Sequence, residues 1–174
     1  MMIRVNRFNV YLLLGAALAI LCGCQTAESK LKKQVSTLEL HLEVRSDGTD
    51  RNTAIQVLRD HPIPITVQKS PFLTEAYVKE AKVIDVMGGF ALRIQFDRHG
   101  SWVLESYSAD NPGKRFAVLS QFGEKLKEAR WLAAPITTHR IADGVFNFTP
   151  DASREEAEQI ALGLNNVAKK LKTE

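Results

Sequence analysis

From Leu38 to Arg45 apolar and polar residues alternate without a break: Leu38, Leu40, Leu42 and Val44 against Glu39, His41, Glu43 and Arg45. A period of two predicts a strand with one buried and one wet face, and it puts His41 in solvent. The polar run Ser46–Asp50 is a turn, and Ile55 with Val57 marks a short second strand. Ile63, Ile65 and Val67 mark a third, entered through Pro62 and Pro64, which suit a strand start or a sheet edge. Leu73 to Val78 then reads as one or two turns of helix with Thr74 as N-cap.

Lys82 to Met87 is apolar enough for a buried strand, broken by Gly88-Gly89 as a bulge or tight turn. Phe90, Leu92, Ile94 and Phe96 alternate with Ala91, Arg93, Gln95 and Asp97, the cleanest strand pattern in the chain. A helix over 98–109 follows, capped by Asp97, with Trp102, Val103 and Tyr107 on one face and a stop at Asp110-Asn111-Pro112-Gly113. Phe116–Phe122 and Trp131–Ile141 read as strands, and Asp143-Gly144 turns into Val145–Thr149, where Phe146 and Phe148 share a face. The last helix is the strongest. Ser153 and Glu156 form a capping box, and Ala157, Ile160, Ala161, Leu164 and Val167 form an apolar stripe. Lys169, Lys170 and Lys172 complement the negative end of its dipole. Strands outnumber helices without βαβ alternation, which predicts an α+β domain with an antiparallel or mixed sheet and helices packed on one face.

The N-terminus has a different logic. Arg4 and Arg7 precede an apolar run, Val10–Leu21, too short to span a bilayer core of about 30 Å comfortably. That is the layout of a secretory signal peptide. The run ends in Leu21-Cys22-Gly23-Cys24, which resembles the lipobox of bacterial lipoproteins. The resemblance implies cleavage before Cys24 and a diacylglyceryl thioether on its sulfur. Two or three acyl chains hold a protein on a membrane where one holds weakly, because each buried methylene contributes about 0.8 kcal/mol. Residues 1–23 are thus expected to be a signal peptide, 24–36 a polar tether, and 37–174 a single domain. Gln25 after the cysteine, rather than Asp, resembles outer-membrane sorting in Gram-negative hosts. The mature chain would keep Cys24 as its sole cysteine, already alkylated, which excludes disulfides, thiol catalysis and thiolate metal sites.

Composition narrows the function classes further. Of 23 Lys and Arg, Arg4 and Arg7 leave with the signal peptide, so 21 basic side chains face 20 acidic ones. A dedicated nucleic-acid binder would show a basic footprint, and none exists here. His41, His61, His99 and His139 lack the close pairing of a zinc site, so no metal and no cofactor is expected. Nothing marks a Ser or Thr as an activated nucleophile, and Gly88-Gly89 is not followed by the lysine-capped helix start of a phosphate loop. Glu124, Lys125, Lys127, Glu128 and Arg130 have the mixed signs of a solvated turn or short helix. Trp131, between that loop and Ala134-Pro135, is the residue best suited to recognition, with core burial as its alternative.

Three stretches then carry a family resemblance. They are Leu73-Thr74 with Val78, Ala81 and Val83; Gly88–Ala91 running to Phe96-Asp97 and Gly100; and Asn111, Gly113-Lys114-Arg115-Phe116-Ala117-Val118. Ala134-Pro135-Ile136, Gly144 and Ser153 with Glu155-Glu156-Ala157 continue the series. In this order they resemble the head part of the first periplasmic domain of the SecD/SecDF protein-translocation family, over residues 72–167. Gln121–Glu124 departs from the family's pattern, and Lys125–Arg130 reads as an insertion. The resemblance implies a SecD-head-like fold, an extracytoplasmic location and polypeptide handling, with no catalytic residues and, with no transmembrane helices following, no motor. The sequence thus leads to a non-enzymatic, lipid-anchored envelope module. It would bind an envelope protein or an exported polypeptide through a sheet edge or the region of Trp131 and Pro135, with the membrane as partner through Cys24. The alternatives are an envelope enzyme using Asp97, His99 or His139 as acid or base, and a purely structural lipoprotein.

Overall fold

The computed structural model describes residues 33–172, and a compact unit begins at Gln34. Its strands are β1 (Glu39–Leu42), β2 (Asn52–Val57), β3 (Ile63–Gln68), β4 (Leu73–Thr74), β5 (Val78–Val86), β6 (Gly89–Phe96), β7 (Phe116–Phe122), β8 (Glu128–Ala133) and β9 (Val145–Phe148). Its helices are α1 (Arg98–Asp110) and α2 (Arg154–Leu171). The strands pair in three sheets, ordered β4-β1-β7-β8, β2-β3 and β5-β6-β9, and every pairing is antiparallel. The expected α+β class holds, with an antiparallel arrangement.

One apolar core joins the two larger sheets and both helices. Leu38, Leu40, Phe116, Val118, Phe122 and Leu132 come from the first, Leu92, Ile94, Phe146 and Phe148 from the second. Ala157, Ile160, Ala161 and Leu164 close it from α2, with Ala168 buried where the apolar stripe runs out. The capping box forms as predicted: Ser153 Oγ accepts from the Glu156 N–H, and the Glu156 carboxylate accepts from the Ser153 N–H. The first residues of the unit belong to this packing and not to a tether. Ser36 is fully buried against Gly163, where an added methyl would lie 2.6 Å from the Ser36 backbone nitrogen. Asn166 Nδ2 donates to the Gln34 carbonyl at 3.0 Å.

Several expectations are overturned. His41 is 4% exposed. The supposedly wet face of β1 lies under the β2–β3 hairpin, whose Val57, Ile65 and Val67 pack with Ala117 and Trp131 in a second apolar cluster. A hairpin with one apolar face must cover something, and the polar face of β1 was the surface within reach. His41 is accommodated by two hydrogen bonds, Nδ1 to the Gln68 carbonyl at 2.8 Å and Nε2 to Glu39 Oε2 at 3.0 Å.

Residues 73–78 form no α-helix. They make a two-residue strand and a single 3-10 turn over Glu75–Tyr77, and the Thr74 side chain accepts no capping hydrogen bond. Lys82–Met87 is not a buried strand: it is the outer half of β5, rising to an exposed tip where Met87 is 103% exposed. Gly88, with φ +86°, turns this hairpin. On α1 the buried residues are Gly100, Leu104 and Ser108, Val103 and Tyr107 are half-buried, and Trp102 turns outward at 65% exposure. The predicted strand 131–141 starts earlier, at Glu128, and ends at Ala133.

Candidate functional site

What replaces the end of that strand is the candidate site. Pro135 has no N–H for a ladder. The chain after Ala133 leaves the regular ladder but stays bridged beside the start of β7, with Arg115 opposite Ile136, Phe116 N–H to the Pro135 carbonyl (3.0 Å) and Thr137 N–H to the Lys114 carbonyl (2.8 Å). It then crosses to α1, where the Ile141 N–H donates to Ser108 Oγ at 2.9 Å and Arg140 pairs with Glu105. It returns through Gly144, at φ +68°, whose missing side chain makes room for Ser101: a methyl there would lie 1.9 Å from Ser101 Oγ.

Between this segment and β9 lies an open cleft of about 580 Å³. Pro135, Ile136, His139 and Ile141 line one wall, and Val145 and Asn147 the other. Ile136 is half exposed, an apolar side chain at the rim. The ladder explains why the β9 wall is open. Asn165 Oδ1 accepts the Ala81 N–H at 2.9 Å and Asn165 Nδ2 donates to the Ala81 carbonyl at 2.8 Å, so Ala81 turns its backbone away from β6. Its partner Ile94 therefore bonds to Phe146 on β9, and the alternation turns the backbone groups of Val145 and Asn147 outward, away from β6, where Asp143 Oδ1 accepts the Val145 N–H at 3.0 Å. Asn165 thus covers one edge of this sheet and leaves the β9 edge facing the cleft.

A second, smaller cleft of about 400 Å³ shares Arg140 and is lined by Trp102, Glu105, Ser106 and Asp110. Trp102 adjoins a surface row of rings: Tyr77 to His99 at 5.0 Å and His99 to Trp102 at 6.2 Å between centroids. The exposed tryptophan at the smaller cleft is therefore Trp102, which the sequence groups with Val103 and Tyr107 on one face. The signal was available, since Gly100, Val103, Leu104, Tyr107 and Ser108 follow helical spacing and leave Trp102 on the far side.

The sequence-derived candidates separate. Pro135 lines the cleft, whereas Trp131 is half-buried under the β2–β3 hairpin with its ring edge-on to His41 at 5.1 Å. Asp97 caps α1, accepting the Gly100 N–H at 2.7 Å. His99 belongs to the ring row, and of Asp97, His99 and His139 only His139 lines the larger cleft. Among the described residues no three His, Cys, Asp or Glu side chains gather as a metal site. Cys24, the signal peptide and residues 24–32 of the tether lie outside the described residues.

The strongest electrostatic feature lies away from the clefts. Arg130 on β8 grips Glu156 with both guanidinium arms, at 3.0 and 3.1 Å, and also touches Glu128 at 3.1 Å. The Arg130 hydrogen bond holds the Glu156 carboxyl below the ordinary carboxylate range, and Glu156 in turn raises Arg130. Arg130, read as part of a solvated loop, ties the sheet to the start of α2.

This is an antiparallel α+β domain in which short sheets and two helices share one core, with an open strand edge beside a cleft. The profile of the SecDF P1 head subdomain matches residues 52–168, and the chain belongs to that family. The match takes in the β2–β3 hairpin, which the motif series beginning near Phe72 had left out. The protein translocase subunit SecD of Calditerrivibrio nitroreducens is 30% identical over 105 residues, covering 59% of this chain. This chain spans only 19% of that relative. Two solved structures share the fold. One is a SecDF described as a membrane component that enhances protein export (TM-score 0.54, 22% identity, 79% of this chain and 65% of that one). The other is SecDF in a super-membrane-facing form (TM-score 0.54, 21% identity, 79% and 20%).

Proposed function

We propose that this chain is a lipid-anchored module of the cell envelope that holds an extended polypeptide, or a segment of a partner protein, against the β9 edge. The observation that carries the reading is the outward-facing backbone of Asn147 and the Val145 carbonyl beside the cleft, the Val145 N–H being taken by Asp143. A strand added to a free edge gains main-chain hydrogen bonds whatever its sequence, which suits a protein that must accept many polypeptides. Ile136 and Pro135 would offer apolar contact to alternate side chains. Membership of the SecDF P1 head family supports an extracytoplasmic, translocation-associated role. The reading assigns no catalytic step, no cofactor and no nucleic-acid partner. The membrane is reached through the lipid on Cys24, at the Leu21–Cys24 lipobox. Among the described residues no helix is long and apolar enough to cross a membrane.

A photoreactive residue at position 136, in intact cells, is expected to crosslink to polypeptide. Only lipid and solvent adducts from position 136 would overturn the cleft reading. The anchor is tested separately: Cys24→Ser is expected to abolish acylation by intact mass and to release the processed protein from membranes. An unacylated wild type would remove the anchor and leave the cleft reading standing.

A further inference from the structure

The outer face of α1 carries side chains that neither the core nor strand addition uses. Trp102, Glu105, Ser106, Ala109 and Asp110 follow one another at helical spacing, on the side opposite the buried Gly100, Leu104 and Ser108. Single exposed apolar side chains are ordinary on a protein surface. Trp102 does not stand alone. It ends the row in which half-buried Tyr77 leads to exposed His99 and then to the indole, the ring planes turning by 35° and 41° at successive steps. On its other side it borders the smaller cleft of about 400 Å³. Rings and cleft thus form one track along the helix.

The polar groups beside the indole are of both hydrogen-bonding kinds. Arg140 Nη2 donates to Glu105 Oε1, which engages one of several guanidinium N–H groups and one of two carboxylate oxygens, so both can take a further partner. Next along the helix, Ser106 Oγ donates to Asp110 Oδ2 at 3.5 Å, a long bond that fixes neither group. Charge does not choose the ligand. Glu105 and Asp110 are balanced by Arg140 and by Arg98, which stands one turn before Trp102 on the same side. A cation or an anion would be repelled as much as attracted. An apolar side chain finds no pocket either, because Ala109 is the only apolar residue lining this cleft besides Trp102.

The ligand that fits has a flat apolar face and a rim of neutral donors and acceptors. A pyranose ring is such a body: its C–H groups lie against an indole, and each of its hydroxyls both donates and accepts. Asp110 stands about 12 Å from Trp102 along the helix axis, too far for one sugar ring to meet both, and the ring row extends the platform the other way. We propose that the outer face of α1, centred on Trp102 and flanked by Glu105, Ser106, Asp110 and Arg140, binds an uncharged oligosaccharide. One sugar stacks on the indole, the carboxylates accept from hydroxyls, and Arg140 donates to them. This is a separate site from the β9 edge, and the two clefts share only Arg140.

The full-length protein is titrated by calorimetry with two neutral probes, the β-1,4 tetramer of N-acetylglucosamine and maltotetraose. Tryptophan emission is followed in parallel, and of the two tryptophans Trp102 is the exposed one. Saturable binding of at least one probe is expected, with emission moving to shorter wavelength as the indole is covered. Trp102→Ala should weaken binding on the order of tenfold or more, as truncation of an aromatic anchor does. Trp102→Phe, which keeps a ring to stack on, should retain most of it. Met87→Ala, at the exposed far tip of the β5–β6 hairpin, should bind as wild type. No saturable binding of either probe, equal binding by Trp102→Ala, or the same emission shift with a neutral or a basic peptide would each overturn the proposal. Crosslinking from position 136 reads the β9 edge without Trp102, so either reading can fail while the other stands.

Discussion

The two helices close the same core by opposite means. α2 buries Ala157, Ile160, Ala161, Gly163, Leu164 and Ala168 along its length, and its start is locked by the capping box and the Arg130 pair. α1 buries only Gly100, Leu104 and Ser108, and it keeps its largest side chain, Trp102, in solvent. Gly100 lets α1 sit close: a methyl there would lie 2.8 Å from Tyr77 Cβ and 3.1 Å from Phe96 Cβ. Phe72 stacks on Tyr107 at 4.2 Å between ring centroids and completes the contact. α2 is a structural wall, whereas α1 is a thin support whose outer face is left for the smaller cleft. Stability should therefore concentrate on α2, and surface chemistry on α1.

The sharpest way to break that contrast is Leu164→Ala. Leu164 is fully buried in the shared core, and removing it should cost about 2–5 kcal/mol, read as a lower urea midpoint. A loss below about 1 kcal/mol would mean that α2 is not the wall described. Gly163→Ala comes next. Alanine favours a helix over glycine by about 1 kcal/mol, but the methyl would meet the backbone nitrogen of Ser36, which no rotamer change can move. A net loss of about 1–3 kcal/mol is expected. A gain in stability would show that the Gln34–Ser36 segment is loose.

Glu156→Gln probes the locked start of α2, with an expected cost of about 1–2 kcal/mol. Its pH dependence has a definite sign. The folded carboxyl is held below its ordinary value by Arg130, so its contribution is fully present above the unfolded pKa of about 4.3. It is lost as pH falls through the folded value. The difference in urea midpoint between wild type and Glu156→Gln should be flat at neutral pH and shrink in acid. A difference that grows on acidification would show that the Arg130 contact does not form.

The elements legible in the sequence are those whose periodicity is enforced by one core. β6, β7, β9 and α2 each send a regular apolar set into it, so spacing alone located them. β1 was located too, but only one of its faces was legible. Its alternation reports what Leu38, Leu40 and Leu42 touch and is silent about a hairpin folded over His41 from residues 52–68. β5 is misread because Ile84 and Val86 look like core residues, yet they ride up a hairpin that leaves the core, with Val83 and Phe90 still packed against it. The candidate cleft was half legible. Pro135 signalled a departure from the ladder, but the openness of the β9 edge depends on Asn165, a residue on another element whose role no local pattern reveals.

The smallest expected effect is the most discriminating for α1. Trp102→Ala removes the largest side chain on that helix, yet its ring is 65% exposed and adds nothing to the core cluster. Exposed substitutions of this kind change stability by no more than about 0.5 kcal/mol, and alanine's helix propensity offsets part of any loss of contact with His99. The urea midpoint of Trp102→Ala should therefore match wild type, in contrast to Leu104→Ala two residues on, where a fully buried leucine is removed. If Trp102→Ala proves as costly as Leu104→Ala, the ring is buried in solution and α1 packs through the face first read from Trp102, Val103 and Tyr107. A matching midpoint would leave Trp102 as surface at the mouth of the smaller cleft, free to be varied in binding experiments without disturbing the fold.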